Sequence, residues 1–110
     1  MRTDRERLND ILMFIEKTLT IYDPNKYDHD ETFRYGLVKY LEIIGEASRA
    51  MSQVTRDLNK DIEWKEIIGF RNIIVHVYHE IEWDEIKDII EKDLHLLKEQ
   101  ILILINQYDS

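Results

Sequence analysis

The stretch WDEIKDIIEKDLHLLKEQILILINQY, residues 83–108, decides the fold class. Apolar side chains recur in it at helical spacing, so that one face carries Trp83, Ile86, Ile90, Leu94, Leu97, Ile101, Leu104 and Tyr108. Asp84 and Glu85 stand at its start, where the helix dipole favours negative charge. A long helix with one apolar face must bury that face against other elements. The stretch therefore predicts an all-α protein.

The segment ILILI, residues 101–105, is apolar on every side of this helix. A bundle needs only one apolar face from each helix, so the surplus fits two situations. The helix either lies centrally, covered by the chain's own helices, or contacts a second copy of the chain. The sequence leaves both open.

Upstream, residues 4–20 and 31–54 each carry one apolar face and are predicted helices. The polar, proline-containing residues 22–30 between them are typical of a loop. Two aspartates are candidate caps of the second helix: Asp28, which has a glutamate three residues later, and Asp30.

Gly45 lies in the middle of the second helix, where glycine costs about 1 kcal/mol relative to alanine. We therefore expect a neighbouring backbone to approach it closely. After a polar connector over residues 55–63, a third helix is predicted to start at Trp64. Its β-branched residues 73–77 would favour a strand by propensity, but the chain offers no second strand to satisfy the backbone of the first. Together the segments predict an antiparallel bundle of four to five helices.

The chain has 110 residues, and we expect residues 1–110 to form a single domain. One proline and three glycines are too few for a turn-rich β fold. The lack of cysteine excludes disulfides and thiolate chemistry and fits a cytoplasmic location. No apolar run approaches the ~18 residues of a membrane span, and the N-terminus does not resemble a signal peptide, so no membrane association is expected.

The net charge of −8 argues against nonspecific DNA binding. Its distribution is uneven, because acidic side chains crowd residues 80–93. That pattern fits a solvated helix face or a docking surface for a basic partner. Residues 31–60 are more basic, and a local basic surface there would comprise Arg34, Lys39, Arg49, Arg56 and Lys60.

Arg71 and His76 carry the chemical interest of the sequence RNIIVHVY, residues 71–78. The arginine fork is always cationic and matches a phosphate, and histidine exchanges a proton near neutral pH. The pair suits RNA cleavage by the RNA's own 2′-hydroxyl, in which imidazole takes the proton and guanidinium stabilises the phosphorane. On an ideal helix the two side chains lie ~140° apart. The site therefore needs a helix end near His76 or a second copy of the motif.

Each candidate also has a purely structural interpretation. Arg71 could pair with a carboxylate of the second helix such as Glu46, and His76 could be a hydrogen-bonded core histidine. Tyr78 shares the helical face of Arg71, where its hydroxyl could bind phosphate, accept a transferred group or simply border the core.

A metal site could also be drawn from three neighbouring side chains, His79, Glu80 and Glu82. The arginine and histidine chemistry needs no metal ion. We therefore predict a site without metal and without a cofactor.

The sequence resembles the HepT-like family of HEPN domains. The similarity spans nearly the whole chain and is carried by DRERLNDIL, LEIIGEASRAMS, WKEIIGFRNIIVHVYHEI and the amphipathic last helix. The family's Arg-x4-His-x-Tyr motif matches Arg71, His76 and Tyr78, and Asn72 is the polar residue that commonly follows the arginine.

The resemblance implies a HEPN-like homodimer that brings two motifs to one cleft. It also implies a metal-independent toxin endoribonuclease, with Arg71 binding phosphate, His76 as acid and base, and Asn72, Tyr78 and Glu46 in support. Several members of the family are toxins that are encoded beside an antitoxin. The resemblance implies that this antitoxin is a minimal, MntA-like nucleotidyltransferase that transfers AMP to the motif's tyrosine, here Tyr78. The bulky, anionic group would fill the site and repel RNA.

Three functions compete at this point. The first is the toxin ribonuclease. The second is a non-catalytic subunit that binds a nucleotide or a minimal nucleotidyltransferase, which suits the acidic surface better. The third is an oligomerisation module in which Arg71 and His76 only hold the bundle. RNA cleavage by the purified dimer separates the first two, and the stability of alanine variants tests the third.

Overall fold

The computed structural model describes residues 2–72 and 81–110, and over these residues the chain is all-helical. The helices are, in chain order, α1 (Asp4–Ile21), α2 (Pro24–His29), α3 (Glu31–Arg49), α4 (Gln53–Leu58), α5 (Trp64–Gly69), α6 (Trp83–Asp88) and α7 (Leu94–Asp109). A 3-10 turn, Phe70–Asn72, extends α5. A π-helical turn, Ile89–Asp93, joins α6 to α7. The predicted all-α class is confirmed.

Polar contacts at the helix ends give the directions of the long helices. Asp4 at the start of α1 accepts hydrogen bonds from Ser52, just beyond the end of α3. Arg5, the next residue, forms an ion pair with Asp109 at the end of α7. α1 therefore runs antiparallel to both α3 and α7, and it packs against both.

One cluster of buried side chains joins these three helices to the shorter ones. Leu8 and Ile15 of α1, Leu41 and Ile44 of α3 and Ile101 of α7 are almost fully buried in it. The apolar faces read from the sequence are therefore the faces that meet in the core.

The loop predicted over residues 22–30 is wrong, because α2 occupies most of it. Pro24 takes the first position of this helix, where a proline needs no N–H partner. The Asp23 carboxylate accepts hydrogen bonds from the next two free backbone N–H groups. Asp28 lies inside α2 and does not cap α3. Asp30 does, because its side chain accepts from the backbone N–H of Phe33 at 3.1 Å.

The second predicted helix, residues 31–54, ends earlier than expected, at Arg49. Ser52 then caps a separate helix, α4, by accepting from the N–H of Thr55 at 3.2 Å. Val54, the last residue of the predicted helix, is 68% exposed. The connector is consequently partly helical. The described residues form seven α-helices, four of them only six residues long, so the expected count of four to five is not confirmed.

The third helix starts at Trp64 as predicted but tightens into the 3-10 turn at Phe70. The choice between helix and strand for residues 73–77 lies outside the described residues. The last predicted helix is confirmed from Trp83 onward, with the π-helical turn inside it.

The apolar end of α7 is covered on one side only. Ile101, Leu104 and Ile105 are buried, whereas Leu102 is 39% and Ile103 59% exposed. The surplus apolar surface is therefore not fully used by this chain's described residues. No helix in residues 2–72 or 81–110 has the length and apolar character that crossing a membrane would require.

Candidate active site

α5 and its 3-10 turn sort their side chains into three rows. The first row is buried in the core: Trp64, Ile67 and Phe70. The second row, one residue further on, comprises the exposed Lys65 and the half-buried Ile68 and Arg71. The third row is exposed: Glu66, Gly69 and Asn72. Because the first row stays buried over both turns, the second row stays on one flank, and Arg71 is its last member.

The backbone of Arg71 rests against Gly45 of α3, as the mid-helix glycine predicted. A Cβ atom at position 45 would lie 2.7 Å from the Arg71 backbone nitrogen and 2.9 Å from the Ile67 carbonyl oxygen. Real Cβ atoms essentially never come so close. Gly45 therefore lets the backbones of α3 and the 3-10 turn come into contact. This contact fixes the position of the Arg71 backbone relative to α3.

The side chain of Arg71 faces Glu46, the residue after Gly45. Its Nε lies 3.8 Å from Glu46 Oε2, and the two side chains are 33% and 62% exposed. Arg49, one turn further along α3, approaches the other oxygen of Glu46 at 3.6 Å. Among residues 2–72 and 81–110, the Arg71 side chain has this ion pair with Glu46 and no hydrogen bond. The pairing anticipated between Arg71 and Glu46 is present.

Other predicted site residues are placed only in part. Asn72 is exposed at the end of the 3-10 turn. His76 and Tyr78 lie outside the described residues, as do two of the three candidate metal ligands, His79 and Glu80. Within the described part of the chain, no cluster of histidine and carboxylate side chains is arranged to hold a metal ion.

Of the five basic residues proposed from the sequence, Lys39 is exposed and Arg49 pairs with Glu46. The other three divide into two groups. Arg34 belongs to the fold: its guanidinium lies 5.0 Å from the centroid of the Trp83 ring and donates to the Tyr27 carbonyl at 2.8 Å. Its assignment to a basic binding surface is therefore wrong. Arg56 and Lys60, by contrast, line a surface groove together with Lys65.

Two tyrosines outside the motif are structural. Burial raises the pKa of Tyr27 to about 12, and its hydroxyl donates to the Trp83 carbonyl at 2.6 Å. The pKa of Tyr22 is also raised, first by burial and then by its hydrogen bond to Glu91. Both hydroxyls stay protonated at neutral pH and hold the start of α6 and the π-helical turn to the rest of the chain.

Comparison with known proteins defines the class. The family model described as "Ribonuclease HepT-like" matches residues 8–104, which include most of α1, all of α3, the Gly45 contact and the Arg71 turn. The chain therefore belongs to the ribonuclease HepT-like family.

Three relatives agree with this assignment. A Methanocaldococcus jannaschii protein named "Putative RNase" is 32% identical over 90% of this chain and 87% of its own length. A "Putative RNase" of Caldanaerobacter subterraneus is 29% identical over 92% of this chain and 93% of its own length. "Probable ribonuclease HepT" of Thermococcus cleftensis is 28% identical over 63% of each chain. No solved structure gives a significant match.

Proposed function

We propose that this protein is a metal-independent endoribonuclease, the toxin of a toxin–antitoxin pair, built as a single HEPN-like domain. The observation that carries the proposal is Arg71, a cation fixed in height by the Gly45 contact and flanked by Glu46, in a chain of the HepT-like family. An arginine whose backbone is held in place is suited to bind a phosphodiester through its guanidinium.

The chemistry follows from the residue types. His76 removes the proton from a ribose 2′-hydroxyl, and the oxygen attacks the adjacent phosphorus. Arg71 neutralises the charge that develops on the phosphorane. The bond from phosphorus to the 5′-oxygen breaks, and a second acid protonates the leaving oxygen. The products are a 2′,3′-cyclic phosphate and a 5′-hydroxyl end, and Asn72 and Tyr78 help to hold the phosphate.

A homodimer supplies the second acid, because it brings a second His76 to the cleft. Support comes from the exposed apolar face of α7, where Leu96 is 58% and Ile103 59% exposed. Leu96 also lines a cavity of about 170 Å³ together with Phe70, the residue before Arg71. A second copy seated on this face would lie beside the Arg71 turn. Ile103→Glu should then give monomers in light scattering and abolish cleavage together.

The cleavage assay uses the purified wild-type protein, a mixed-sequence single-stranded RNA and EDTA. We expect cyclic-phosphate ends, and a loss of at least ~100-fold in His76→Ala, since general acid–base groups contribute about 10²–10⁴-fold. The matched control is His95→Ala, an exposed histidine of α7. Absence of cleavage by pure, dimeric wild type would overturn the ribonuclease.

The partner in this proposal is an MntA-like nucleotidyltransferase that silences the toxin by transferring AMP to Tyr78. Intact mass after co-expression with such a partner should rise by one or more AMP units. Peptide mapping should locate them on Tyr78, and Tyr78→Phe should remain unmodified. Modification elsewhere, or none, would contradict this part of the proposal and leave the cleavage assay unaffected.

A second candidate is a non-catalytic subunit that binds a nucleotide or a partner. The cavity beside Phe70 favours it, because four carboxylates line its rim: Asp61, Glu63, Glu66 and Asp93. An acidic rim around an apolar floor suits a basic protein surface. This candidate predicts tight binding of the nucleotidyltransferase together with complete lack of RNA cleavage.

A further inference from the structure

A groove between α4 and α5 runs beside the site, and three of its eight lining residues are cations. Arg56 of α4, Lys60 of the connector and Lys65 of α5 line it, with Asp57 as its carboxylate. Its volume is about 420 Å³, and Trp64 and Ile68 also contribute to its wall. Three cations against one anion make it a local basic surface on a chain of net charge −8.

The three cations differ in their pairing from seven of the chain's fifteen arginines and lysines. Arg2, Arg5, Arg7, Arg49, Arg71, Lys87 and Lys92 each face a carboxylate. Among residues 2–72 and 81–110, no carboxylate pairs with Arg56, Lys60 or Lys65. Asp57 is instead held by Gln53, whose amide donates to it at 2.8 Å. Their charge is therefore available to an anionic ligand.

The row of side chains on α5 connects this groove to the candidate site. Lys65 and Ile68 line the groove, and Arg71 is the next member of the same row. At 1.5 Å per residue, Lys65 and Arg71 are separated by about 9 Å along the helix.

We infer that the α4–α5 groove holds the sugar-phosphate backbone of the RNA on one side of the scissile bond, through Arg56, Lys60 and Lys65. This inference rests on the proposed function. It also accounts for how an acidic protein attracts RNA, because the contacts are local. Phosphate contacts of this kind position a strand without reading its sequence.

The test measures binding of a fluorescein-labelled, mixed-sequence 20-nucleotide RNA by anisotropy, on a His76→Ala background that does not cleave it. Lys60→Gln combined with Lys65→Gln should raise Kd about tenfold at 100 mM salt. The slope of log K against log salt should fall by about 1.4, since each single-strand phosphate contact contributes about 0.7. The matched control, Lys17→Gln with Lys92→Gln, removes the same charge from exposed positions elsewhere.

A second variant tests whether removing a negative charge from the groove strengthens RNA binding. Asp57→Asn removes the groove's carboxylate, keeps its shape and should tighten RNA binding a few-fold. On the cleaving protein, the lysine pair should raise KM and leave kcat and thermal stability near wild type, whereas a structural role would lower stability.

The inference is overturned if the lysine pair binds RNA within twofold of its control with the same salt slope, or if the protein binds no RNA. Failure of the proposed function would show in a different experiment, the cleavage assay, as absence of RNA cleavage by the wild-type protein.

Discussion

Two contacts, here called the terminal joint and the site joint, hold short helices against long ones. The terminal joint consists of hydrogen bonds to a carboxylate, and the site joint consists of close backbone packing. At the terminal joint, the Asp4 carboxylate of α1 accepts from the Ser52 N–H at 3.0 Å and from the Thr55 hydroxyl at 2.7 Å. Thr55 in turn contacts the Tyr108 hydroxyl at 2.9 Å. At the site joint, Gly45 meets the Arg71 turn through backbone contact.

The two joints respond differently to pH and to changes in side-chain size. Hydrogen bonds to a carboxylate depend on its charge and therefore on pH, but they tolerate small shifts in position. Close backbone packing is independent of pH and intolerant of added atoms. A site that must hold a cation at a fixed height is better served by the second kind of joint.

The largest effect should come from adding one methyl group at the site joint. In Gly45→Ala the new Cβ would lie under 3.0 Å from two backbone atoms, so α3 and the Arg71 turn must separate. We expect a loss of about 1–3 kcal/mol in unfolding free energy. RNA cleavage should fall more than tenfold even at temperatures where the variant is folded. Urea unfolding and the cleavage assay measure the two effects.

The matched control is Gly69→Ala, in which the new Cβ meets no atom of the described residues within 4 Å. It should leave cleavage unchanged and stability equal or slightly higher, because alanine is the better helix former. Equal behaviour of the two variants would mean that the close approach at Gly45 does not position Arg71.

A smaller effect is expected at the terminal joint. Asp4→Asn keeps the shape but removes the charge, and charged hydrogen bonds are worth about 1.5–3 kcal/mol where buried. Asp4 is only partly buried, so we expect about 1 kcal/mol. Cleavage should stay near wild type at low temperature. Asp10→Asn, which removes the same charge from an exposed pair with Arg2, should change stability by less than ~0.5 kcal/mol.

The terminal joint should also weaken in acid, whereas the site joint should not. Burial alone would raise the pKa of Asp4, but hydrogen bonds from Ser52 and Thr55 and the charge of Arg7 outweigh it, so the pKa lies below its usual 3.8. A depressed pKa in the folded state adds stability above the unfolded value and loses it as pH falls through the folded value.

The stability difference between wild type and Asp4→Asn should therefore be constant above about pH 5 and shrink below pH 4. The difference for Gly45→Ala should not follow this titration. Urea unfolding at several pH values from 7 to 3 measures both. A constant Asp4→Asn difference down to pH 3 would contradict a depressed pKa.

The contrast between the joints also explains what the sequence could predict. Gly45 was readable because a glycine inside an apolar helical pattern is unfavourable unless a neighbour requires it. The long helices were readable from their periodicity. The terminal joint was not, because its partners Asp4 and Ser52 are 48 residues apart in sequence, and polar contacts between distant segments leave no periodic pattern.

The site divides in the same way. The ion pair anticipated between Arg71 and Glu46 is present, whereas the roles of all the site residues, including Asn72, His76 and Tyr78, remain predictions. The groove was only partly foreseen. Its cations come from three separate segments, and the position of Arg71 relative to Lys65 depends on the 3-10 turn that follows α5.

The smallest effect should come from the ion pair that lies on top of the site joint. Glu46→Gln leaves the Gly45 contact intact and removes the charge beside the Arg71 Nε, 3.8 Å away. Exposed pairs contribute at most about 1 kcal/mol, so stability should change little. If Glu46 orients the guanidinium, kcat/KM for RNA should fall two- to fivefold, with Glu31→Gln as the control for lost charge on α3. An increase in kcat/KM would instead mean that Glu46 only repels RNA, and that the backbone contact alone positions Arg71.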